Sequence, residues 1–370
     1  MIYIKNIKTF LGTNRTNARG WRTNRRIIVI ESDDWGSIRI PNKDTLNSLQ
    51  IKGFATHKCP YVMNDCLESN EDLKSLFDLI ESRIKKPVIT ANFLTANPNF
   101  EKIKDSNFTK YFPESLEVTL DHYPNHHNVK KLYLQGIIKK YFVPQLHGRE
   151  HLNISQWMSD LKSGNKETHE AFEKKIFGIS AHITKVKRNS YQAAFGKQNC
   201  DFKVNHNQVI KEAFFDFEKL FGYKSKTFIA PNYTWGDELE KTTSELGITH
   251  LQGSRAQLIP VLSSIKPQIR RNILGKKNKF GQKYLIRNVF FEPFMSNNKE
   301  CVNNALEEIR NAFFWNKPAI ISMHRVNFIG SINEYNRVNN LKLFNDLLNK
   351  IDHFWPDVEF LSSEDLTKLI

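Results

Sequence analysis

Ile27-Ile28-Val29-Ile30-Glu31-Ser32-Asp33-Asp34-Trp35-Gly36 is the stretch on which the rest of the chain is read. Four consecutive β-branched aliphatic residues favour a strand buried on both faces. Two adjacent acids at the end of such a run are costly to place without a counter-charge. The stretch therefore predicts a buried strand whose C-terminal end carries chemistry.

Outward from this strand the same alternation repeats. Leu73, Leu76, Phe77, Leu79 and Ile80 recur at three and four, which predicts a helix over 70–84 with Ser69 or Asn70 as cap. Strands are predicted over 88–94, 142–146, 227–229, 248–251, 284–291, 319–323 and 358–361. Helices are predicted between them over 129–141, 207–221, 237–246, 300–315 and 341–354, with Gly222 stopping the second of these. Strand alternating with helix over one long chain means a parallel sheet covered by helices. Seven or eight such units predict an α/β fold that closes as a (β/α) barrel rather than an open sheet. The expected organisation is a basic tail over 1–26 and one barrel domain over 27–370.

In such a barrel the chemistry gathers where strands end. Asp33-Asp34 follows the first strand, and His147-Gly148-Arg149-Glu150-His151 follows the strand over 142–146. Ala230-Pro231-Asn232-Tyr233 follows 227–229, and His324 follows 319–323. One carboxylate with two imidazoles makes an open transition-metal site. A metal lowers the pKa of bound water, a spare carboxylate takes its proton, and a separate His protonates a leaving group.

These strand ends together resemble the polysaccharide deacetylases, also called the NodB-homology or carbohydrate esterase 4 family, over about residues 27–366. The closing Phe360-Leu361-Ser362-Ser363-Glu364-Asp365-Leu366 is similar to the family's ending. The resemblance implies a distorted (β/α) barrel of about seven parallel strands. It implies Asp33 as base, Asp34, His147 and His151 as ligands of one divalent metal ion, zinc foremost with cobalt or nickel as alternatives, and His324 as general acid. It implies an oxyanion site at a backbone N–H near Tyr233, with Trp35, Pro231 and Asn232 beside the substrate. Two residues depart from the pattern. Trp35 stands where the family has Gly, so it would crowd the metal or wall the substrate site. Ala230 stands where the family has the Arg that orients the base, and Arg149, Arg255 and Arg325 are the candidates to replace it. Glu292 is the first candidate for the carboxylate that tunes His324, and Glu150 is expected just behind the ligands. The activity implied is removal of an acetyl group from an amino sugar or glycan precursor. The alternative is an inactive glycan-binding or scaffold barrel, of which Trp35 and Ala230 would be the marks.

Other readings of these residues are weaker. His147 to His151 also fits an inverted zinc-peptidase motif, but that motif needs a helix interior, which Pro144 and Gly148 disfavour. His126-His127 reads as a solvated loop. Asp33 with Asp34 or Glu150 could be a glycosidase pair, yet adjacent residues on a strand point apart. Tyr191 to Phe195 reads as core first and sugar-stacking surface second.

Composition narrows the classes further. Hydrophobic residues are 40% of the chain and charged residues 25%, with 27 Phe, 11 Tyr and 6 Trp, which suits a large folded core. No apolar run approaches the ~20 residues of a membrane span. The four cysteines, far apart, make no disulfide scaffold or thiolate zinc cluster. The net charge of +15 falls in two acid-free stretches. Residues 1–26 hold seven basic residues, and 262–288 hold eight in a predicted insertion. A tail and a loop are not the basic recognition face of a nucleic-acid binder, so that partner is not expected. The tail also carries Ile2, Tyr3, Ile4, Ile7, Phe10 and Leu11, enough for a weak membrane-surface anchor. The start shows no apolar run with a small-residue cleavage site. The charge runs read first as a solvated tail and loop and second as attraction to an anionic surface, lipid or acidic glycan. The expectation is a cytoplasmic protein acting on carbohydrate, with a peripheral position at the inner face of the membrane as the second reading.

Overall fold

A computed structural model describes residues 12, 14–185, 190–199, 201–261, 263–264, 266–296 and 300–370. Nine strands make the main sheet: β1 (Ile27–Trp35), β2 (Ile89–Leu94), β3 (Phe142–Gly148), β4 (Thr227–Phe228), β5 (His250–Gly253), β6 (Lys283–Ile286), β7 (Val289–Phe290), β8 (Ala319–His324) and β9 (Glu359–Leu361). All their pairings are parallel, in the order β6-β5-β4-β3-β2-β1-β8-β7, with β9 alongside the first half of β1. The two ends of that order, β6 and β7, are successive in the chain and joined only by Arg287 and Asn288. The Arg287 N–H donates to the Gly253 carbonyl on one edge (2.9 Å), and the Asn288 N–H to the Ile320 carbonyl on the other (3.1 Å). The sheet thus curls until its edges are bridged by a two-residue step. The single strand expected over 284–291 is two strands with different partners for this reason.

The helices that cover the sheet are α1 (Asn70–Glu81), α2 (Val129–Ile138), α3 (His206–Phe221), α4 (Asp237–Glu245), α5 (Glu300–Phe314) and α6 (Glu334–Phe354). α1 starts at a capping box between Ser69 and Asp72, and α3 stops at Gly222 in the left-handed conformation (φ 79°). α6 begins seven residues earlier than its apolar period, because Asn336, Arg337 and Asn340 are buried polar residues of its first turns. A second apolar cluster, containing Ile40, Leu49, Trp157, Phe172 and Tyr191, packs beneath the segments between strands. Tyr191 is therefore core, its hydroxyl donating to Asp160 (2.5 Å). No helix of the described residues is long and apolar enough to cross a membrane. The tail's apolar residues, Ile2 to Leu11, lie outside the described residues.

The barrel interior is polar. Asn92 of β2 donates to Asp33 of β1 (2.7 Å) and to Gln252 of β5 (2.9 Å), and Gln252 donates to Thr227 of β4 (2.6 Å). Thr227 donates in turn to Gln145 of β3 (2.8 Å), so β1 to β5 each contribute a polar residue to one connected network that fixes Asp33.

Candidate metal centre

Asp33 and Asp34 both face the rim, against the expectation that neighbouring strand residues point apart. The ladder between β1 and β2 slips between Ser32 and Trp35, and Asp34 takes a left-handed backbone (φ 73°). This bulge turns Asp34 inward beside Asp33. Gly36 makes it feasible: its φ is +85°, and a Cβ there would stand 2.5 Å from the Leu94 carbonyl oxygen.

Asp34, His147 and His151 converge at the rim, all buried. The Asp34 Oδ1 lies 3.4 Å from His147 Nε2 and 3.5 Å from His151 Nε2. The His147 Nδ1–H donates to the Ile229 carbonyl (2.8 Å), which leaves a lone pair on Nε2. Asp34 Oδ1 and His147 Nε2 are buried without a hydrogen-bond partner. Burial holds the His151 imidazole down at about 4, so it is neutral at pH 7. Ligand atoms held at ~2.1 Å by a tetrahedral ion are about 3.4 Å apart. The orphaned atoms, their spacing and their lone pairs fit a divalent cation. Residues 147–151 run from a strand into a loop, so the helical peptidase geometry is absent. His126 bonds to the Leu67 carbonyl (3.2 Å), and no metal-ligating group of the described residues includes it.

Asp33 and His324 stand on the wall of the same cavity, about 560 Å³, with Tyr61, Tyr233 and Arg287. Arg287 grips Asp33 with two prongs, Nη1 to Oδ2 and Nη2 to Oδ1, both at 2.6 Å, while its Nε donates to Glu31 (2.6 Å). Burial alone would raise Asp33, but the Arg287 charge and hydrogen bonds bring it down to about 2. His324 Nδ1 pairs with Glu292 Oε1 at 2.5 Å, and the Tyr61 hydroxyl lies 3.3 Å from the same nitrogen. Burial would lower His324, but Glu292 first and then Asp34 and Asp33 raise it to about 9. It therefore holds its proton at neutral pH. Arg39, from the segment after β1, donates to Asp34 Oδ2 (2.8 Å) and reaches Asp65 (3.3 Å).

Several expected placements are corrected. Trp35 is 1% exposed and packs against Phe93, Phe142 and Phe328, with its indole N–H on Ser32. The bulge that turns Asp34 inward sends Trp35 into the core, so it walls no substrate. Trp35→Ala is expected to cost about 3–5 kcal/mol of stability, read from urea midpoints. Pro231 is buried outside the cavity lining, whereas Ala230, Asn232 and Tyr233 line it. The Tyr233 N–H donates to the Ala230 carbonyl (3.0 Å), so that group is already used. None of the three arginines expected to orient the base touches Asp33. Arg149 pairs with Glu150 (2.7 Å) and with Glu212, and Glu150 also accepts from Tyr111. Arg325, fully buried, pairs with Glu68 and Asp65. Arg255 lies half-buried beside the rim. The arginine that binds Asp33 is Arg287. It belongs to the acid-free stretch over 262–288, yet it follows the apolar Tyr284-Leu285-Ile286 as a strand-end residue. Much of that insertion is not free loop either. Gln268–Arg271 pairs with Ala256–Ile259, and Arg270 and Lys279 bind Asp237.

No family model matches this chain, and no curated protein matches it. Solved structures do match. One is assigned as a polysaccharide deacetylase from Mycobacterium smegmatis, at 7% identity and TM-score 0.41, covering 95% of this chain and 93% of that one. Another is a CE4 family pseudoenzyme from Bacillus anthracis, at 9% identity and TM-score 0.39, covering 93% and 66%. A third is assigned as a glycoside hydrolase/deacetylase from Parabacteroides distasonis, at 8% identity and TM-score 0.48, covering 94% and 71%. Likeness at this level says nothing about chemistry, which rests on the residues of this chain. The motif residues that resemble those of the polysaccharide deacetylases converge on one rim of this chain.

Proposed function

We propose that this chain is a metal-dependent hydrolase that removes an acyl group, acetyl in the first instance, from an amino sugar or glycan precursor. The observation that carries the proposal is the convergence of Asp34, His147 and His151 in one cavity with an ionised Asp33 and a protonated His324. A divalent cation held by those three residues, zinc foremost, supplies Lewis acidity that activates water and polarises an acyl carbonyl. Asp33, fixed by Arg287 and Asn92, accepts the proton of the attacking water. His324, held by Glu292, delivers a proton to the departing amine or alkoxide. Asn232 and Tyr233 border the acyl site. The inactive-barrel reading rested on Trp35 and Ala230. Trp35 is out of the cavity, and Arg287 fills the role left open by Ala230, so neither residue now argues for lost catalysis.

The test begins with elemental analysis. About one equivalent of divalent metal per chain is expected in the wild type, lost in Asp34→Ala and in His147→Ala. Acetate release from N- and O-acetylated sugars is then expected from the loaded wild type alone. A wild type that takes up no zinc, cobalt or nickel would leave the hydrolase without its ligand set.

A further inference from the structure

The rim of the cavity carries positive charge that the deacylation chemistry does not use. A short helical turn over 14–17 lies across it, and Gly12 and Thr16 line the same cavity as Asp33 and His324. This turn is firmly seated. The buried Asn17 donates to Asn311 (2.8 Å) and accepts from Asn288 (2.9 Å). Asn14 accepts from Trp315 (2.8 Å), and the Trp21 N–H donates to the Leu274 carbonyl (2.9 Å). Arg15 and Arg19, four residues apart, are exposed on this segment. Arg255 follows Ser254, another lining residue, and Arg271 pairs with Ala256 across the 256–259/268–271 hairpin. The Asn272 N–H donates to the Arg255 carbonyl (2.8 Å), which holds the two arginine-bearing segments together. Among the described residues none of these four arginines is in an ion pair. Burial, then the charges of Arg15, Arg271 and Arg19, hold the Arg255 guanidinium below its ordinary value, so the four share one field. Two carboxyls line the same cavity, Asp33, which is held by Arg287, and Glu308, which accepts from the Phe290 N–H (2.7 Å).

Four guanidinium groups gathered without an ion-pair partner among the described residues repel one another, and a bound multivalent anion relieves that repulsion. Guanidinium forks match phosphate oxygens two at a time. We propose that Arg15, Arg19, Arg255 and Arg271 form a phosphate subsite at the cavity rim, so that the substrate is an acylated sugar bearing a phosphate or diphosphate. The assignment rests on the deacylase reading for the sugar and on the arginines for the phosphate. A singly charged carboxylate would neutralise less of the cluster, and a neutral polymer none of it.

The test uses the metal-loaded full chain and an Arg15→Ser/Arg255→Ser/Arg271→Ser variant, all three changes being outside the catalytic residues. Inorganic pyrophosphate is titrated by calorimetry. Deacetylation is measured on an N-acetylated hexosamine with and without a 1-phosphate. The variant is expected to bind pyrophosphate at least about tenfold more weakly, the loss of one charge-assisted contact or more. Its KM should rise for the phosphorylated sugar only. Equal pyrophosphate binding by both proteins, or equal turnover of both sugars by the wild type, would overturn the subsite and leave the deacylase intact. Arginine-dependent pyrophosphate binding with no turnover of either sugar would keep the subsite and remove the deacylase. Arginine-dependent binding to phosphatidylglycerol vesicles, with no affinity for pyrophosphate, would overturn the proposal and give the patch to a membrane surface.

Discussion

Arg287→Gln is expected to destabilise the chain by about 3–5 kcal/mol at pH 7, the cost of leaving buried charge without its partner. Two carboxylates lose their counter-charge at once, since Glu31 and Asp33 both bond to this guanidinium inside the barrel. In the wild type Asp33 sits at about 2, below an ordinary carboxyl. Its contribution to stability is therefore present above the unfolded value and lost only as pH falls through about 2. Glu31 is pushed the other way by burial, with Arg287 opposing. Without Arg287 both acids rise, and each then favours folding only while protonated. The loss should be largest at neutral and alkaline pH and smaller at pH 5. Urea unfolding of both proteins at pH 5 and pH 7.5 measures this. An equal loss at both values would mean that Arg287 acts through packing and closure of the seam, not through charge.

Asp33→Asn is expected to lower turnover by about 10²–10⁴, the range for a general base, with metal content unchanged. Asparagine keeps the shape and one acceptor oxygen, so the comparison removes charge and basicity more than structure. His324, on the other wall, gives a second readout. His324 at about 9 is protonated below that value, so activity that needs its proton should fall as pH rises through about 9. Glu292→Gln removes the first of the groups that raise it. The basic limb of kcat/KM should then move down toward about 6.5, the ordinary imidazole value. A basic limb that stays in place in Glu292→Gln would assign that limb to another group.

The strands that build the rim were legible because their chemistry is local. A run such as Ile27 to Ile30, all β-branched and short, favours a buried strand over a helix, and the residue just beyond each run marks the rim. That reading found Asp33, Asp34, His147, His151 and His324, and it placed Glu292 beside His324. It missed Arg287 because an acid-free stretch reads as one solvated insertion when its residues are counted together. The residue before it, Ile286, ends a strand and should have sent Arg287 to the rim. It also missed Tyr61 and Arg39, which come from the segment between β1 and β2: Tyr61 meets His324, and Arg39 binds Asp34 and Asp65, the second of which pairs with Arg325. No short-range pattern reports the contacts of Tyr61 with His324 or of Asp65 with Arg325, whose partners are separated by more than two hundred residues.

The sequence alone determined the alternation of strand and helix, the parallel sheet and the identity of the rim residues, because hydrophobic period and residue type act over a few neighbours. Tertiary structure alone decided which way each rim residue faces. The bulge at Asp34 turned that residue into the cavity, where a ligand was expected, and sent Trp35 away from the substrate side into the core. Closure of the sheet between β6 and β7 placed Arg287 opposite Asp33, 254 residues away in the chain. Both outcomes come from satisfying buried charge and backbone in three dimensions, a condition that only the closed barrel imposes.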